Sequence, residues 1–290
     1  MTTEGLLLID KPAGPTSHDI IQQLRRVSGV RRIGHAGTLD PLATGLLLVC
    51  IGRATRLLEY LLAQPKRYET AVRLGRSTDT FDAEGTIISE KPVDVTAVDI
   101  EQALQQFRGP IVQYAPAYSA VKRDGVPLYK LARQGLEVER PAREVTVSNL
   151  EMLSWQDPTV HLDITCSSGT YIRSLADDLG NSLGCGGYIS ALRRTAVGTF
   201  TIEQAVALPE LDNSNWSEQL LPPDTAVRHL PKIEFSAEEA RRLLLGQRVP
   251  GADVIEEGAP ARAYEQYGRF LGIVVAAGQA WQPHKMFLEK

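Results

Sequence analysis

Apolar residues recur along the chain with two different periods, so the sequence predicts a mixture of strands and helices. Residues 45–51 (GLLLVCI) are continuously apolar between two glycines, which is typical of a strand buried on both faces. Residues 66–75 alternate instead between apolar and charged side chains, with Tyr68 on the apolar side. This alternation indicates a strand with one buried face, and residues 160–166 show the same pattern.

Helical spacing with recognisable end signals predicts several helices between these strands. The first begins with Ser17 as its N-cap and stops at Gly29. A second opens with Thr96 and carries Asp99 three residues later, which is the pattern of a capping box. A further helix is expected over residues 171–179.

The order of these elements predicts an α+β fold, because strands and helices do not follow a strict βαβ rhythm. Residues 207–232 are acidic and rich in proline, which favours an interdomain connection. We therefore expect a mixed-sheet domain over residues 1–230 and a small β-barrel over residues 231–290. Residues 116–144 are rich in Arg, Gly and Pro and weakly periodic, so we expect an excursion from the core there.

Composition places the chain among globular proteins, with 43% hydrophobic and 23% charged residues in 290. No apolar run reaches the roughly 20 residues that span a bilayer, and the N-terminus lacks the pattern of a signal peptide. We therefore expect a cytoplasmic protein. The three cysteines, Cys50, Cys166 and Cys185, form no C-x-x-C pair, so we predict buried thiols rather than a zinc site or a disulfide.

Charge is distributed unevenly, although the whole chain carries only −4. Residues 1–76 hold 11 Lys/Arg and 6 acids, a balance of +5. Residues 201–240 hold 2 basic residues and 8 acids, a balance of −6. A polyanion would therefore bind the N-terminal part in preference.

The most informative stretch for chemistry is residues 32–45, RIGHAGTLDPLATG. It sets His35 and Asp40 among glycines, with a proline directly after the acid. A stiff loop at the edge of a core is a place where a reactive side chain is presented. From physical chemistry alone, a tight turn with Asp40 as a structural hydrogen-bond acceptor explains the pattern at least as well.

This stretch resembles the signature of the bacterial tRNA pseudouridine synthases of the TruB family. The resemblance continues, in the family's order, through DKPAGPTSHD, KRYETAVRLGRSTDTFDAEG, PAYSAVKRDGVPLYKLARQG and CSSGTYIRSLADDLG followed by GGYISALRRTAVG. These blocks cover roughly residues 5–200. The family fold is a pseudouridine synthase catalytic domain with a mixed sheet. The C-terminal residues resemble a PUA-type RNA-binding barrel.

The resemblance implies isomerisation of uridine to pseudouridine at position 55 in the T-loop of tRNA, with Asp40 as the nucleophile. The isomerisation is redox-neutral and transfers no external group, so no cofactor or metal is expected. Arg173 matches the arginine that pairs with the nucleophile, and an adjacent cation favours the ionised form of a carboxylate. Tyr68 matches the tyrosine that stacks on the uracil and is proposed to help remove the C5 proton.

The resemblance also assigns residues to RNA binding. His35 matches the histidine that fills the gap left by an extruded base, whereas Tyr171 and Leu192 match residues that line the nucleotide pocket. Arg56 stands where the family frequently has lysine, so a phosphate contact is expected with different geometry. The excursion over residues 116–144 matches the RNA-gripping insertion. Its expected phosphate contacts are Lys122, Arg123, Lys130, Arg133, Arg140 and Arg143.

Three alternatives to a stand-alone synthase remain. One is a metal-dependent hydrolase built on His35, Asp40, Asp79, Asp82 and Glu84, although the spacing of these acids fails the calcium-loop pattern. Another is an RNA-folding chaperone without chemistry. The last is a guide-RNA-dependent relative that acts on ribosomal RNA. The long insertion favours the stand-alone enzyme, which must grip its own substrate, and we expect a monomer that binds tRNA without a protein partner.

Overall fold

The computed structural model describes residues 3–116, 118–119, 122–123, 125–128, 131, 134, 140–251 and 256–287. The strands of its N-terminal half are β1 Gly5–Lys11, β2 Ile33–His35, β3 Thr44–Ile51, β4 Lys66–Leu74, β5 Arg76–Thr78, β6 Ile87–Glu90, β7 Gly109–Tyr114, β8 Lys122–Arg123, β9 Val126–Pro127 and β10 Ala142–Gln156. The remaining strands are β11 Thr159–Cys166, β12 Gly187–Val197, β13 Phe200–Thr201, β14 Val206–Ala207, β15 Lys232–Phe235, β16 Val249–Pro250, β17 Pro260–Glu265, β18 Phe270–Ala276 and β19 Ala280–Met286.

Helices are fewer than strands in the described part of the chain. The α-helices are α1 Ser17–Ser28, α2 Leu58–Leu62, α3 Ala97–Gln105, α4 Ile172–Ser182 and α5 Ala237–Leu244. The 3-10 helices are Gly52–Leu57, Ile202–Gln204, Leu208–Glu210, Trp216–Gln219 and Pro223–Val227. Among the described helices, none combines the length and the apolar composition needed to cross a membrane. The cytoplasmic location stays a prediction.

The main sheet is mixed and runs in the order β14-β1-β3-β12-β4-β11-β10-β7, with β13 added to β12 and β2 added to β3. Strand β1 pairs in parallel with β14, and β3 pairs in parallel with β12, whereas the other neighbours are antiparallel. Helices pack on this sheet without a repeated βαβ unit. The predicted α+β class is therefore confirmed.

Strand β3 explains why its sequence is continuously apolar. One face of the strand, with Leu47 and Val49, packs in a cluster with residues of α1. The other face, with Leu46 and Leu48, packs in a second cluster with Leu57 of the following 3-10 helix. Apolar cover on both sides leaves no position for a polar side chain, so the predicted doubly buried strand is confirmed.

Helix starts follow the capping signals with one correction. Thr96 caps α3 with Asp99, and Ser236 caps α5 in the same way. The predicted N-cap of α1 is wrong, because Thr16 rather than Ser17 accepts the hydrogen bond from the Asp19 amide. Ser17 is buried, and its hydroxyl binds the backbone of another loop, so the preceding threonine caps the helix instead.

The C-terminal part forms a second sheet of five strands in the order β15-β17-β18-β19-β16. Helix α5 covers it through Ala240 and Leu243, which join the apolar cluster of this sheet. The acidic segment 207–232 does not form a free connection. Leu208, Leu211 and Trp216 are buried in the clusters of the main sheet, so most of the segment belongs to the larger unit.

Side chains join the two sheets directly. Ile273 of β18 and Phe287 lie in the same buried cluster as Leu46. Around this apolar contact, Lys285 of β19 forms an ion pair with Glu59 of α2 at 2.8 Å. The small sheet is therefore packed on the large one.

Candidate active site

The loop between β2 and β3, residues 36–43, carries Asp40. Its backbone is fixed from outside by the N-terminal segment, since the Gly14 amide donates to the Pro41 carbonyl at 2.9 Å. The buried Ser17 hydroxyl accepts from the Leu39 amide at 2.8 Å and donates to the Leu39 carbonyl at 3.0 Å. The residue next to Asp40 is therefore held on both of its polar backbone groups, and the carboxylate has a defined position.

Lys11 supports the same loop from beneath. It has no exposed surface, and its ammonium donates to the carbonyls of Pro12 at 2.8 Å, Ala43 at 2.7 Å and Pro41 at 3.4 Å. Burial lowers the pKa of Lys11, and the nearby Asp40 charge opposes this shift. Lys11 is not among the site residues that the sequence predicts.

Arg173 connects Asp40 to a second carboxylate. Its Nε lies 3.0 Å from Asp40 Oδ2, and its Nη1 lies 3.4 Å from Asp82 Oδ2. The guanidinium also donates to the carbonyls of Thr80 and Tyr118, each at 3.0 Å. The Arg173 side chain is only 8% exposed, whereas that of Asp40 is 39% exposed. The cation is thus buried and the Asp40 carboxylate reaches the surface.

The start of helix α4 places Arg173. Tyr171 precedes the helix, and both of its backbone groups bind the side chain of Gln113 from β7, at 2.9 and 3.2 Å. In the first turn, the Ser174 hydroxyl donates to the Tyr114 carbonyl at 3.1 Å. These bonds tie the helix to the edge strand, so that the intervening Arg173 points towards the Asp40 loop.

Tyr68 lies on β4, where it is 9% exposed and packs in the same apolar cluster as Leu39, Ile172 and Leu192. Burial raises the pKa of Tyr68, and the charge of Arg194 opposes this shift. Asp40 also raises the pKa of Tyr68, which places the phenol within the field of that carboxylate. The structure therefore brings together Asp40, Arg173, Tyr68 and Leu192.

Arg194 of β12 is a second buried guanidinium, 1% exposed, which the sequence analysis did not assign to the site. It donates from Nε to the Leu46 carbonyl at 2.7 Å and from Nη2 to the Gly37 carbonyl at 3.1 Å. Gly37 has φ +99°, a conformation that favours glycine, so the backbone can turn there towards the guanidinium.

Family models match almost the whole chain. A model of the TruB family pseudouridylate synthase N-terminal domain matches residues 25–172. A model of the tRNA pseudouridylate synthase B C-terminal domain matches 173–230, and one of the pseudouridine synthase II TruB C-terminal part matches 231–279. The chain belongs to the TruB family of pseudouridylate synthases.

Curated relatives agree with this TruB assignment. The protein named tRNA pseudouridine synthase B from Pseudomonas fluorescens (strain Pf0-1) is 46% identical over 276 residues, which cover 93% of this chain and 90% of that one. The protein of the same name from Haemophilus influenzae (strain 86-028NP) is 40% identical, covering 99% and 96% of the two chains.

Solved structures agree on the fold. A chain in the crystal structure of a Cbf5-Nop10-Gar1 complex has a TM-score of 0.77 and 26% identity, covering 99% of this chain and 86% of that one. A chain in an H/ACA RNP bound to a substrate RNA containing 2′-deoxyuridine has the same TM-score, 0.77, at 24% identity. At that identity the second match shows the fold alone.

His35 of this TruB-family chain lies on β2, just before the Asp40 loop. Its Nδ1 is buried and has no hydrogen-bond partner among the residues that the structure describes. Burial lowers the pKa of His35 below its ordinary value of 6.5, and the charges of Arg194 and His18 act in the same direction. The imidazole is therefore neutral at neutral pH.

Arg56 lies apart from the group around Asp40. It belongs to the 3-10 helix Gly52–Leu57, and its Nη1 donates to the Met286 carbonyl of β19 at 2.7 Å. A phosphate contact of Arg56 stays a prediction, and the observed bond gives this residue a place in the contact between the sheets.

Two acids of the metal-hydrolase alternative, Asp79 and Asp82, already have hydrogen-bond partners. Asp79 accepts from the Thr86 amide at 2.8 Å. Asp82 accepts from the Thr80 hydroxyl at 2.6 Å and from the Glu84 amide at 3.1 Å. Within the described residues, no group of three or more His, Cys, Asp or Glu side chains is arranged to hold a metal ion. The three cysteines are buried free thiols, as predicted.

The RNA-gripping insertion is described only in part. The side chains of Lys122, Arg123, Lys130 and Arg133 lie outside the described residues. Arg140 and Arg143 are both exposed. The Arg143 guanidinium lies 6.0 Å from the centre of the Tyr171 ring, and this contact connects the base of the insertion to the start of α4.

Proposed function

We propose that this protein isomerises uridine to pseudouridine at position 55 in the T-loop of tRNA, with Asp40 as the nucleophile. The observation that carries the proposal is the Asp40 carboxylate, 3.0 Å from the Arg173 guanidinium, in a chain of the TruB family. The relatives named tRNA pseudouridine synthase B match along 90% or more of their length, which supports the same reaction here.

The reaction breaks the C1′–N1 bond, turns the uracil and forms a C1′–C5 bond. C5 loses its proton and N1 gains one, so the balance is closed. Reactant and product contain the same atoms in the same oxidation state, so the chain's own groups are sufficient in principle. Asp40 supplies an ionised carboxylate beside the sugar and base. Because Arg173 is buried behind it, the counter-charge stays in place while the exposed Asp40 oxygen meets the RNA.

The uracil binds against Tyr68, with Leu192 and Tyr171 at the sides of the same pocket. Tyr68 and Leu192 share one apolar cluster, which supports a dry surface for a flat ring. A stacked base must be extruded from the T-loop before it reaches this surface. The neutral imidazole of His35 lies on the approach to the Asp40 loop, and it fills the space that the base leaves in the RNA.

Substrate binding involves both sheets. We assign residues 1–230 to the catalytic domain and 231–290 to a PUA-like domain that also contacts RNA. The +5 balance of residues 1–76, together with exposed Arg26, Arg31 and Arg32, favours the binding of a polyanion to this part of the chain. The protein acts as a monomer on tRNA, without a guide RNA or a protein partner.

Mapping pseudouridine in an unmodified tRNA transcript after incubation with the purified protein alone tests this function. Asp40→Asn should abolish the modification while tRNA affinity is retained, because only the nucleophilic oxygen is replaced. Asp94→Asn, at an exposed aspartate, is the matched control and should behave like the wild type. Activity of Asp40→Asn within a few-fold of the wild type would remove Asp40 from its role.

The same assay separates the alternatives. Tight tRNA binding without any pseudouridine would favour the chaperone. Modification that appears only after a guide RNA is added would favour the guide-dependent enzyme.

A further inference from the structure

Arg194 is attached to both ends of the loop that carries Asp40. Its Nη2 holds the Gly37 carbonyl, three residues before the acid, at 3.1 Å, and its Nε holds the Leu46 carbonyl, six residues after it, at 2.7 Å. A single planar group therefore closes the segment from Gly37 to Leu46. A guanidinium suits such a double attachment, because it presents several donors in fixed directions.

The same side chain faces Tyr68. Arg194 and Tyr68 are directly opposite each other in the antiparallel pairing of β12 with β4, and opposite residues in a sheet lie on one face. Both are buried, at 1% and 9% exposure. Burial raises the pKa of Tyr68, and Arg194 acts against it both through its charge and through a side-chain hydrogen bond.

Two glycines lie close to Arg194. On its other side Arg194 is paired with Gly45 of β3, where a Cβ would collide with the Arg194 carbonyl. A Cβ at Gly37 would lie 3.4 Å from Nη1. The adjacent Arg193 has a different environment, since it forms an ion pair with Asp10 at 2.7 Å and its side chain is 40% exposed.

The hydrogen-bond partners of Arg194 are two carbonyls, with the Tyr68 phenol opposite it, whereas Arg193 and Arg173 have carboxylate partners. A guanidinium buried without a carboxylate is costly for folding. An apolar side chain would fill the same space without that cost. What the arginine adds is a fixed relation between the Asp40 loop and the Tyr68 phenol.

We propose that Arg194 is a positioning residue for the isomerisation, which holds the Asp40 loop and the Tyr68 phenol in one geometry. The proposal rests on the function proposed above. Asp40 lies on the loop between β2 and β3, and Tyr68 lies on β4. Arg194 binds the backbone on both sides of Asp40 and stands directly opposite Tyr68. Without Arg194, the distance between Asp40 and Tyr68 across the uracil would no longer be fixed.

The experiment compares Arg194→Gln and Arg194→Lys with the neighbouring control Arg193→Gln. Single-turnover rates at saturating tRNA and tRNA affinities are measured separately. Arg194→Gln should lower the single-turnover rate by about 100-fold, as expected for a misplacement near 1 Å, with affinity changed by less than about threefold. Arg194→Lys should fall between Arg194→Gln and the wild type, because an ammonium keeps the charge but not the fixed directions of the guanidinium donors.

A second readout requires no RNA. In protein labelled with ¹³C at the tyrosine ring, the Tyr68 signal is assigned by its loss in Tyr68→Phe. That signal should shift in Arg194→Gln and stay in place in Arg193→Gln. If Arg194→Gln does not fold, Arg194→Lys takes its place. Tyr68→Phe gives the reverse test through the Nε–H signal of Arg194.

A folded Arg194→Gln variant with the wild-type rate, or an unshifted Tyr68 signal, would overturn the proposal. If the wild type itself forms no pseudouridine, the proposed function fails. The ring signal then still decides whether Arg194 holds Tyr68, so the two failures are distinguishable.

Discussion

Charged side chains meet in two regions of this molecule, and the two regions differ in how deeply these side chains are buried. Beneath the Asp40 loop, Lys11, Arg173 and Arg194 are almost completely buried, and each binds several carbonyl or carboxylate oxygens. Between the two sheets, Glu59 remains 56% exposed where it meets Lys285. In the first region three cations are removed from water, whereas in the second region Glu59 stays in contact with water.

The difference shows where the protein requires fixed side-chain positions. Removing an ion from water costs several kcal/mol, so a buried cation is stable only when fixed partners surround it. Those partners in turn lose their freedom, which is what a reaction centre requires. At the contact between the sheets, the apolar side chains of Ile273 and Phe287 supply the attraction, and exposed ion pairs add little.

The largest effect is expected when a buried cation is removed. Arg173→Met leaves the Asp82 carboxylate, 5% exposed, without its guanidinium, and leaves the Thr80 and Tyr118 carbonyls without their donor. Breaking a buried pair in this way should lower the free energy of unfolding by about 3–5 kcal/mol, and activity should be lost. Urea unfolding and the pseudouridine assay measure the two effects.

The exposed Arg73 on β4 provides the control for this change. Arg73→Met should alter the unfolding free energy by no more than about 0.5 kcal/mol. If Arg173→Met were as stable as Arg73→Met, the contrast between the two regions would be lost.

Much of the fold could be predicted from local pattern, because caps and strand periodicity are set by nearby residues. Thr96 with Asp99 is an example, as is the apolar run of β3. The cap of α1 was predicted one residue late because Ser17 has a distant partner, Leu39, and a side chain's distant partner is not encoded in its neighbours.

The site residues differ in the same way, since some could be predicted from the sequence and others could not. Asp40, Tyr68 and Arg173 could be found through their resemblance to a family, but Lys11 and Arg194 could not be distinguished from surface charges. In the pair Arg193-Arg194, alternation requires one residue to point inward. Register shifts within β12 prevent the sequence from showing which one does. Lys66 is another buried cation, and its burial could be predicted because it shares the buried face of β4 with Tyr68. Burial lowers the pKa of Lys66 to about 8.

A smaller effect is expected from the apolar contact between the sheets. Phe287 is 7% exposed, and its ring centre lies 5.3 Å from that of Phe270. Phe287→Ala should therefore lower the free energy of unfolding by about 3 kcal/mol, since it leaves a cavity between the sheets. The rate at saturating tRNA should change little, because the Asp40 loop is not involved.

The control for this variant is Tyr267→Ala, which removes a fully exposed aromatic ring from the turn between β17 and β18. It should change stability by no more than about 0.5 kcal/mol. Equal effects of the two variants in urea unfolding would show that burial of Phe287 does not hold the sheets together.

The smallest effect is expected from the exposed ion pair. A hydrogen bond from Lys285 is the main cause that lowers the pKa of Glu59 below its ordinary value of 4.5, and the charges of Lys285 and His284 add to it. An acid with a lowered pKa stabilises the fold above its ordinary pKa, and this contribution is lost as the pH falls through the lowered value. Because Glu59 is 56% exposed, solvent screens the pair, and Glu59→Gln should cost less than about 1 kcal/mol at pH 7.

That cost should disappear at a low pH, below the lowered pKa of Glu59, where the carboxyl is protonated in both states. Urea unfolding of the wild type, Glu59→Gln, Lys285→Met and the double variant at both pH values forms a double-mutant cycle. The coupling between the two residues should be small at pH 7 and absent at low pH, and it should weaken with added salt. A coupling of several kcal/mol that persists in salt would mean that this pair behaves like Arg173 with Asp82. The division between a buried, geometry-setting group of charges and a screened one would then have to be abandoned.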